Sequence, residues 1–168
     1  FHHCKFEDFK SATYFDLILE SESACYINID RGFKKAREVL KEGGYLLASD
    51  YFVFFKDDSN SVHFKSSHDM IKYLDSAKEH GFDLIKEYDQ TEKTMLTLDY
   101  ANYLIERFIN PTIDYSVYSA KKNYPKISKL ISYFIQKKWN KKKSQLELIN
   151  SKLFRKYRKY MIYLFRKI

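Results

Sequence analysis

Acidic and hydroxyl side chains follow the apolar run YFDLILES, in the stretch ESES at residues 20–23. If that run is a strand, Glu20 and Glu22 are two residues apart in extended backbone and point to the same side. Two like charges held together cost free energy unless a cation or a proton joins them. A binding or proton-accepting site is therefore one interpretation, and a turn with both carboxylates in water is the other.

Polar residues also follow the next two apolar runs. Asp50 and Tyr51 follow YLLAS at the end of the next strand, and Asp89 and Thr91 follow FDLIKEY. A carboxylate at the end of a strand can orient or deprotonate a substrate within hydrogen-bond reach. Asp50 can equally cap the following loop, and N-capping of the next helix by Thr91 or Thr94 is the simpler interpretation of the last group.

Other kinds of chemistry have less support in the sequence. His2 and His3 are adjacent, so their side chains diverge in a strand, and the other histidines are scattered. Cys4 and Cys25 do not form a metal-type pair. No spacing supports a nucleophile activated by a histidine, and we predict no metal.

The elements that would position these residues alternate between strands and helices. The strands are predicted at residues 1–6, 14–21, 45–55, 82–89 and 158–167. In the first helix we expect Asp30 as the N-cap, an inner face of Phe33, Ala36, Val39 and Leu40, and an end at Gly43 and Gly44. In the second helix we expect Met70, Ile71, Leu74 and Ala77 to face inward, with Gly81 as the stop.

A mostly helical segment precedes the last predicted strand. Its first helix has an apolar stripe through Leu98, Ala101, Leu104, Ile105 and Phe108, and Pro111 is expected to end it. Its second helix has an inner face of Ile127, Leu130, Ile131, Phe134 and Ile135. The continuous apolar run at 45–55 predicts a strand buried on both faces. Strands that alternate with helices predict a doubly wound, mainly parallel α/β sheet.

The charge of the chain is divided between two regions. Residues 121–168 carry a net charge of +15, whereas residues 1–120 carry −7. A basic region suggests contact with nucleic acid, an anionic lipid surface or an acidic substrate, unless it is only a solvated lysine-rich surface. The two cysteines and the absence of a secretory segment favour a cytoplasmic location. The chain begins with Phe directly in an apolar run, so we expect a piece of a longer protein.

Three stretches together resemble the second half of a class I S-adenosylmethionine-dependent methyltransferase: FDLILESESACYI, LKEGGYLLASDYF and AKEHGFDLIKEYDQTE. In that family Asp16 would lie in the strand that crosses under the cofactor. The helix then ends at Leu40–Gly44, a later helix ends at Gly81 and Phe82, and the last strand returns antiparallel. The resemblance implies a partial Rossmann-like core at residues 1–92, a helical insert at 93–157 that covers the acceptor, and a last core strand at 158–168.

The resemblance also implies roles for residues at the predicted strand ends. It assigns cofactor binding to Phe6, Glu7, Asp8, Glu20 and Ser21. It assigns catalysis to Glu22 and Asp50. It assigns acceptor binding to Ser23, Tyr26, Tyr51, Asp89 and Thr91. The register near Lys5 stays open, because one alignment places Lys5 where the family has an acid and another uses Glu7 or Asp8.

The glycine-rich loop of that family lies upstream of the region matched here. Of the four glycines, none precedes Gly32, so we expect the loop to be absent from this chain. We therefore expect a methyltransferase that transfers a methyl group from S-adenosylmethionine to a small, apolar or amphiphilic molecule, with the isolated chain inactive. The alternative is a non-catalytic module that docks on an anionic partner through its basic half. A membrane surface is then possible, whereas no RNA-binding module is recognisable and nucleic acid is disfavoured.

Overall fold

A computed structural model describes residues 2–57, 64, 67–125, 128, 133 and 149–168. The chain divides into two compact units. The first consists of Phe1–Glu92 together with Arg155–Ile168, and the second consists of Lys93–Phe154. The first unit contains the sheet, and the described part of the second is mainly helical.

Four strands form one sheet in the order β1-β2-β4-β3. They are β1 (Phe15–Ser21), β2 (Leu40–Val53), β3 (Phe82–Asp89) and β4 (Arg158–Lys167). Strands β1 and β2 are parallel, and β4 is antiparallel to both β2 and β3. The predicted α/β sheet with a returning last strand is confirmed. The prediction of a mainly parallel sheet is wrong for the described strands, because only one of their three pairings is parallel.

The strand predicted at residues 1–6 is wrong for the described part of that segment. His2–Lys5 form no strand, and Phe6–Asp8 form a 3₁₀ turn. The turn is held by the beginning of the next helix, because Glu7 Oε1 accepts the N–H of Asn28 at 3.0 Å and Asp8 pairs with Arg31 at 2.9 Å. These contacts require the two acids to face one helix end, which an extended backbone would not allow.

Helix α1 (Ile29–Val39) begins and ends differently from the prediction. Asn28, not Asp30, is the N-cap and accepts the N–H of Arg31 at 3.1 Å. The helix ends at Val39 and passes directly into β2, so Gly43, with a φ of +73°, lies inside that strand. Its last turn is stabilised instead by Lys167 Nζ, which donates to the carbonyls of Arg37 and Leu40 at 2.9 and 2.8 Å.

The hydrophobic core lies between one face of the sheet and two helices. Alternate β2 residues Leu46, Ala48 and Phe52 are buried against Phe33 of α1 and Tyr73 of the next helix, α2 (Met70–Glu79). On the other face of β2, Tyr45, Leu47, Ser49 and Tyr51 are half-buried or exposed, so the prediction of a strand buried on both faces is wrong for this part of the strand. The described helices α1 and α2 both pack in this one core.

Helix α2 is capped by Asp69, whose Oδ1 accepts the N–H groups of Ile71 and Lys72. Its inward face is centred on Tyr73 and Ala77, one turn apart. Ile71 is 67% exposed, so its predicted inward position is wrong. Gly81 follows the helix with a φ of +76°, the left-handed conformation expected of a helix stop.

The second unit begins within a continuous helical segment. Helix α3 (Thr91–Leu104) leads through a π turn at Ile105–Ile109 into helix α4 (Asn110–Asn123), and α5 (Ser151–Tyr157) precedes β4. The predicted stop at Pro111 is wrong, because the chain stays helical past Pro111, which lies in the first turn of α4 directly after the π turn. The predicted inner face at Ile127–Ile135 and the lysine cluster at 137–143 lie outside the described residues.

No helix in the described part of the chain is both long and apolar enough to cross a membrane.

Candidate functional site

The candidate site lies at the carboxyl ends of the parallel strands β1 and β2. An open cleft of about 470 Å³ adjoins β1 there. Its lining consists of Lys5, Phe6, Glu7, Ile18, Leu19, Glu20, Ser23, Tyr26 and Ile27. The structure thus brings together five of the residues predicted to bind cofactor or acceptor: Phe6, Glu7, Glu20, Ser23 and Tyr26.

Glu20 is a buried carboxyl group at the floor of this cleft. Its side chain lies on the helix-covered face of the sheet, is only 6% exposed and accepts the Tyr73 hydroxyl at 3.4 Å. Burial raises the pKa of Glu20 to about 7, against 4.5 in water. Glu20 also lines a small pocket of about 10 Å³, together with residues that include Ala24, Phe33 and Tyr73. Glu20 therefore separates the core from the cleft and can change its charge near neutral pH.

Glu22 lies on the opposite face of the sheet, so the prediction that it points to the same side as Glu20 is wrong. The chain leaves β1 at Ser21, and Glu22 has a φ of +52°, which ends the extended alternation. The exposed carboxylate accepts a hydrogen bond from the Tyr160 hydroxyl, which is also 3.3 Å from Ser49 Oγ. Burial raises the pKa of Tyr160 to about 12, so this hydroxyl stays protonated and donates to Glu22.

Asp50 is completely buried at the end of β2 and its two oxygens are both engaged. Oδ2 accepts the N–H of Cys25 at 2.9 Å, and Oδ1 accepts the N–H of Tyr51 at 2.8 Å. Burial raises the pKa of the Cys25 thiol to about 11, so this thiol is protonated at neutral pH. The geometry gives Asp50 the role of holding a loop.

Tyr51 lies within the same buried group. Its hydroxyl is 3.9 Å from Cys25 Sγ, and the Arg158 guanidinium lies over its ring at 4.7 Å. Burial lowers the pKa of Arg158 to about 10 and raises the pKa of Tyr51 well above its ordinary value. Arg158 is buried, and its contact with the face of the Tyr51 ring compensates part of the cost of burying its charge.

The 22–28 loop, which forms one wall of the cleft, is held by side chains from several elements. Besides Asp50, Glu7 accepts the N–H of Asn28, and His68 Nε2 lies 2.9 Å from the carbonyl of Ala24 and 2.8 Å from that of Ile27. No local sequence pattern selects His68 or Tyr160, because both are distant from the loop along the chain. Both side chains reach the 22–28 loop only in the folded chain.

The remaining predicted residues lie at the edge of the site or outside it. Asp8 is paired with Arg31 on the surface, and Ser21 is exposed at the end of β1. Asp89 Oδ1 accepts the N–H of Thr91 at 2.9 Å, and Thr91 Oγ1 accepts the N–H of Tyr160 at 3.0 Å. Asp89 and Thr91 therefore join β3 to β4 beneath Tyr160, and none of these four predicted residues lines the cleft.

Among the described residues, no three His, Cys, Asp or Glu side chains are grouped closely enough to hold a metal ion.

Searches by sequence find no matching family model and no matching curated protein. Searches by structure do find matches. Phosphoethanolamine N-methyltransferase 2 of Haemonchus contortus aligns with a TM-score of 0.60 and 20% identity, over 98% of this chain and 36% of that protein. A geranyl diphosphate C-methyltransferase of Streptomyces coelicolor A3(2) gives 0.62 and 13%, over 99% of this chain and 53% of that protein.

The chain has the class I methyltransferase fold. It matches the C-terminal portion of that fold, as the sequence resemblance predicted. The cyclase SpnF also matches, with a TM-score of 0.57 and 15% identity over 98% of this chain and 54% of that protein. The chain thus spans only 36% to 54% of the length of these three proteins. Because one of them is a cyclase, the class I methyltransferase fold does not by itself specify the reaction.

The cleft fits part of the cofactor that this methyltransferase fold implies. Phe6 and Ile18 supply an apolar wall for a ring, and Glu7 retains carboxylate lone pairs beyond the bond from Asn28. The bond from Asn28 is also the main reason that the pKa of Glu7 is lowered, so this group is an anion at neutral pH. None of the four glycines lines the cleft, so the lining contains no glycine-rich cradle.

Proposed function

We propose that this chain forms the carboxyl-terminal part of an S-adenosylmethionine-dependent methyltransferase that acts on a small molecule. The observation that carries the proposal is the cleft at the carboxyl end of β1, in a sheet with the class I methyltransferase fold. Ligands of open α/β sheets bind at this edge. Both matched methyltransferases act on small molecules, as their names state.

In this proposal Phe6 and Glu7 bind the adenine ring, the first by contact and the second as a hydrogen-bond acceptor. When bound, S-adenosylmethionine supplies a methyl group on a positively charged sulfur. Glu20 lies deepest in the cleft, and a nearby cation would favour its ionised form. Cofactor binding is then expected to lower the pKa of Glu20 from about 7 and to release a proton.

Glu22 is the residue we propose for proton transfer from the acceptor. It is an exposed carboxylate at the strand end, and the Tyr160 hydroxyl fixes its orientation. Asp50 does not suit this role, because both of its oxygens accept backbone N–H groups and its side chain has no exposed surface. Ser23 and Tyr26 line the cleft beside the 22–28 loop and are proposed to contact the acceptor.

Binding of S-adenosylhomocysteine tests the cofactor site directly. We expect dissociation constants near the millimolar range for the 168-residue chain, because it spans only part of the matched structures. Amide chemical shifts of the ¹⁵N-labelled chain detect such weak binding. Changes should be concentrated at residues 5–7, 18–20 and 23–27. Phe6→Ser should weaken binding, whereas Asp83→Asn, an exposed change on β3, should leave it unaltered.

Two results would contradict the proposal. One is the absence of shifts up to about 10 mM ligand, and the other is a set of shifts outside the cleft. Micromolar binding at one site would instead show that this chain contains a complete cofactor site. Transfer of tritiated methyl groups to a small-molecule extract then tests the activity of the longest available polypeptide that contains this chain. Glu22→Gln should lower that rate without altering the affinity for S-adenosylhomocysteine.

A further inference from the structure

His68 makes contacts at the cleft wall to which the proposed function assigns no role. Its Nε2 lies 2.9 Å from the carbonyl oxygen of Ala24 and 2.8 Å from that of Ile27. Carbonyl oxygens only accept hydrogen bonds, so Nε2 carries the hydrogen and shares it between the two. One N–H group thus joins both ends of the short 3₁₀ turn Ala24–Tyr26, which forms part of the wall.

The 3₁₀ turn has little support of its own. The N–H of Ile27 donates to the carbonyl of Ala24 at 3.1 Å, and no side chain caps the beginning of the turn. Hydrogen bonds in such turns have poorer geometry than those of an α-helix. The side chain of Tyr26 is 83% exposed, so it buries little surface that could hold the turn. The position of the wall therefore depends on groups from other elements, and His68 is the group that reaches the carbonyls.

His68 is itself held from two sides. Its carbonyl accepts the N–H of Val53 at 2.8 Å, and the next residue, Asp69, pairs with Val53 and caps α2. The imidazole ring stacks on the ring of Tyr73, with 13° between the two planes and 6.2 Å between the centroids. The backbone of His68 is thus anchored at the end of β2 and its ring packs on the core, so the N–H donor has a fixed position.

Tyr73 also connects His68 with the floor of the cleft. Its ring is 4% exposed, and its hydroxyl donates to Glu20 at 3.4 Å. The wall and the floor are therefore held by two stacked side chains. We infer that His68 is a positioning residue, whose Nε2–H fixes the turn Ala24–Tyr26 relative to Glu20 and so sets the wall that a ligand meets. This inference rests on the proposed function only for the identity of the ligand.

His80 is a matched histidine elsewhere in the same unit. It is half-buried like His68, its ring stacks on Phe33, and its Nδ1 lies 2.8 Å from the carbonyl of Ser76. Among the described contacts of His80, none reaches the 22–28 loop. Replacement of either histidine can lower the stability of the fold, whereas a change confined to the cleft wall is expected for His68 alone.

Amide hydrogen exchange of the ligand-free, 168-residue chain tests the contact itself. His68→Leu removes the donor, whereas His68→Gln keeps one, because the amide nitrogen of glutamine lies about as far from the backbone as Nε2 does. We expect the amides of Tyr26 and Ile27 to exchange about tenfold faster in His68→Leu, and at nearly the parent rate in His68→Gln and in His80→Leu. The imidazole ¹⁵N shifts of the parent should show the hydrogen of the neutral His68 ring on Nε2.

Titration with S-adenosylhomocysteine connects the wall with a ligand. His68→Leu should weaken binding about fivefold and reduce the amide shift changes at residues 23–27, while those at residues 5–7 persist. His68→Gln should restore both, and His80→Leu should bind as the parent does.

Four results would overturn the role of His68. They are a neutral ring with its hydrogen on Nδ1, unchanged exchange at Tyr26 and Ile27 in His68→Leu, an equal effect of His80→Leu, and failure of His68→Gln to restore the parent behaviour. The last result would mean that stacking on Tyr73, rather than the N–H group, holds the turn. If the parent binds no S-adenosylhomocysteine, the proposed function fails, and the exchange rates and ¹⁵N shifts still decide whether His68 fixes the wall.

Discussion

The ends of β1 and β2 are neighbours in the sheet, yet their carboxylates have opposite surroundings. At the end of β2, Asp50 has no exposed surface and both of its oxygens accept backbone N–H groups. At the end of β1, Glu20 has only a long bond from Tyr73, and Glu22 is exposed with one bond from Tyr160. A carboxylate at a strand end can therefore act on a ligand only if its oxygens are still able to accept further hydrogen bonds.

The surroundings of these carboxylates differ because the backbone segments that they hold in place differ. The 22–28 loop folds back over the end of β2, so the backbone N–H of Cys25 reaches Asp50. The carboxylates at the end of β1 have no comparable loop above them among the described residues, and the cleft is open there. Asp50, which accepts the most hydrogen bonds, therefore holds the site in place. Glu20 and Glu22 accept fewer hydrogen bonds and remain available to a ligand.

The comparison predicts the largest loss of stability for Asp50. The variant Asp50→Ala removes the acceptor of two N–H groups and leaves at least one of them buried without a partner. We expect the free energy of unfolding to fall by about 3 kcal/mol, measured by urea denaturation. Asp83→Ala, at an exposed position in β3, is the matched control and should change it by less than about 0.5 kcal/mol. Equal losses of stability in Asp50→Ala and Asp83→Ala would show that the buried carboxylate at the end of β2 has no special role in the fold.

Glu20 should destabilise the fold at high pH. Its pKa is about 7 in the folded chain and 4.5 in water, so the folded state holds the proton more tightly. Stability is then highest below about pH 4.5 and falls as the pH rises through 7. Glu20→Gln stays neutral, and we expect it to be about 2 kcal/mol more stable than the parent at about pH 8 and equal to it at low pH. Urea denaturation of both proteins at several pH values measures the difference. A constant difference across this range would show that Glu20 is not the titrating group.

Much of the sheet could be predicted because its signals are local. Apolar runs of strand length located β1, β2, β3 and β4, and the order of strands and helices predicted their α/β arrangement. The cleft residues Phe6, Glu7, Glu20, Ser23 and Tyr26 were selected from the resemblance to class I methyltransferases together with their positions beside predicted strands. The family pattern was enough in these cases.

Other features depend on contacts that the sequence does not contain. The residues 1–6 are apolar enough for a strand, but the bond from Asn28 to Glu7 selects a turn. Strict alternation of side chains along a strand predicted that Glu22 lies on the same face as Glu20. The positive φ of Glu22 ends this alternation and places its side chain on the opposite face. His68 and Tyr160 reach the 22–28 loop only in the folded chain. Local pattern therefore located the strand ends, whereas tertiary contacts determined which side chains face the cleft.

The left-handed backbone at Glu22 predicts a smaller effect. Glycine adopts a φ of +52° without strain, whereas alanine does not. Both Glu22→Gly and Glu22→Ala lose the bond from Tyr160, so their difference isolates the backbone. We expect the glycine variant to be more stable by about 1 kcal/mol, seen as a higher melting temperature. The same pair of changes at Ser21, which ends β1 without a positive φ, should give the reverse order. The reverse order at Glu22 would mean that this residue is not held in the left-handed conformation.

Tyr26 should have the smallest effect on stability while still affecting ligand binding. Its side chain is 83% exposed, and it lines the cleft at the 22–28 loop. Tyr26→Ala should change the free energy of unfolding by less than about 0.5 kcal/mol, because little apolar surface is buried there. Loss of an aromatic contact with the ligand should weaken S-adenosylhomocysteine binding about fivefold, measured by the amide shift titration.

Tyr14→Ala provides the control, since Tyr14 is 65% exposed and does not line the cleft. If both variants weaken binding equally, the wall formed by the 22–28 loop does not contact the ligand. If only Tyr26→Ala weakens it, the end of β1 binds the ligand and the end of β2 supports the fold.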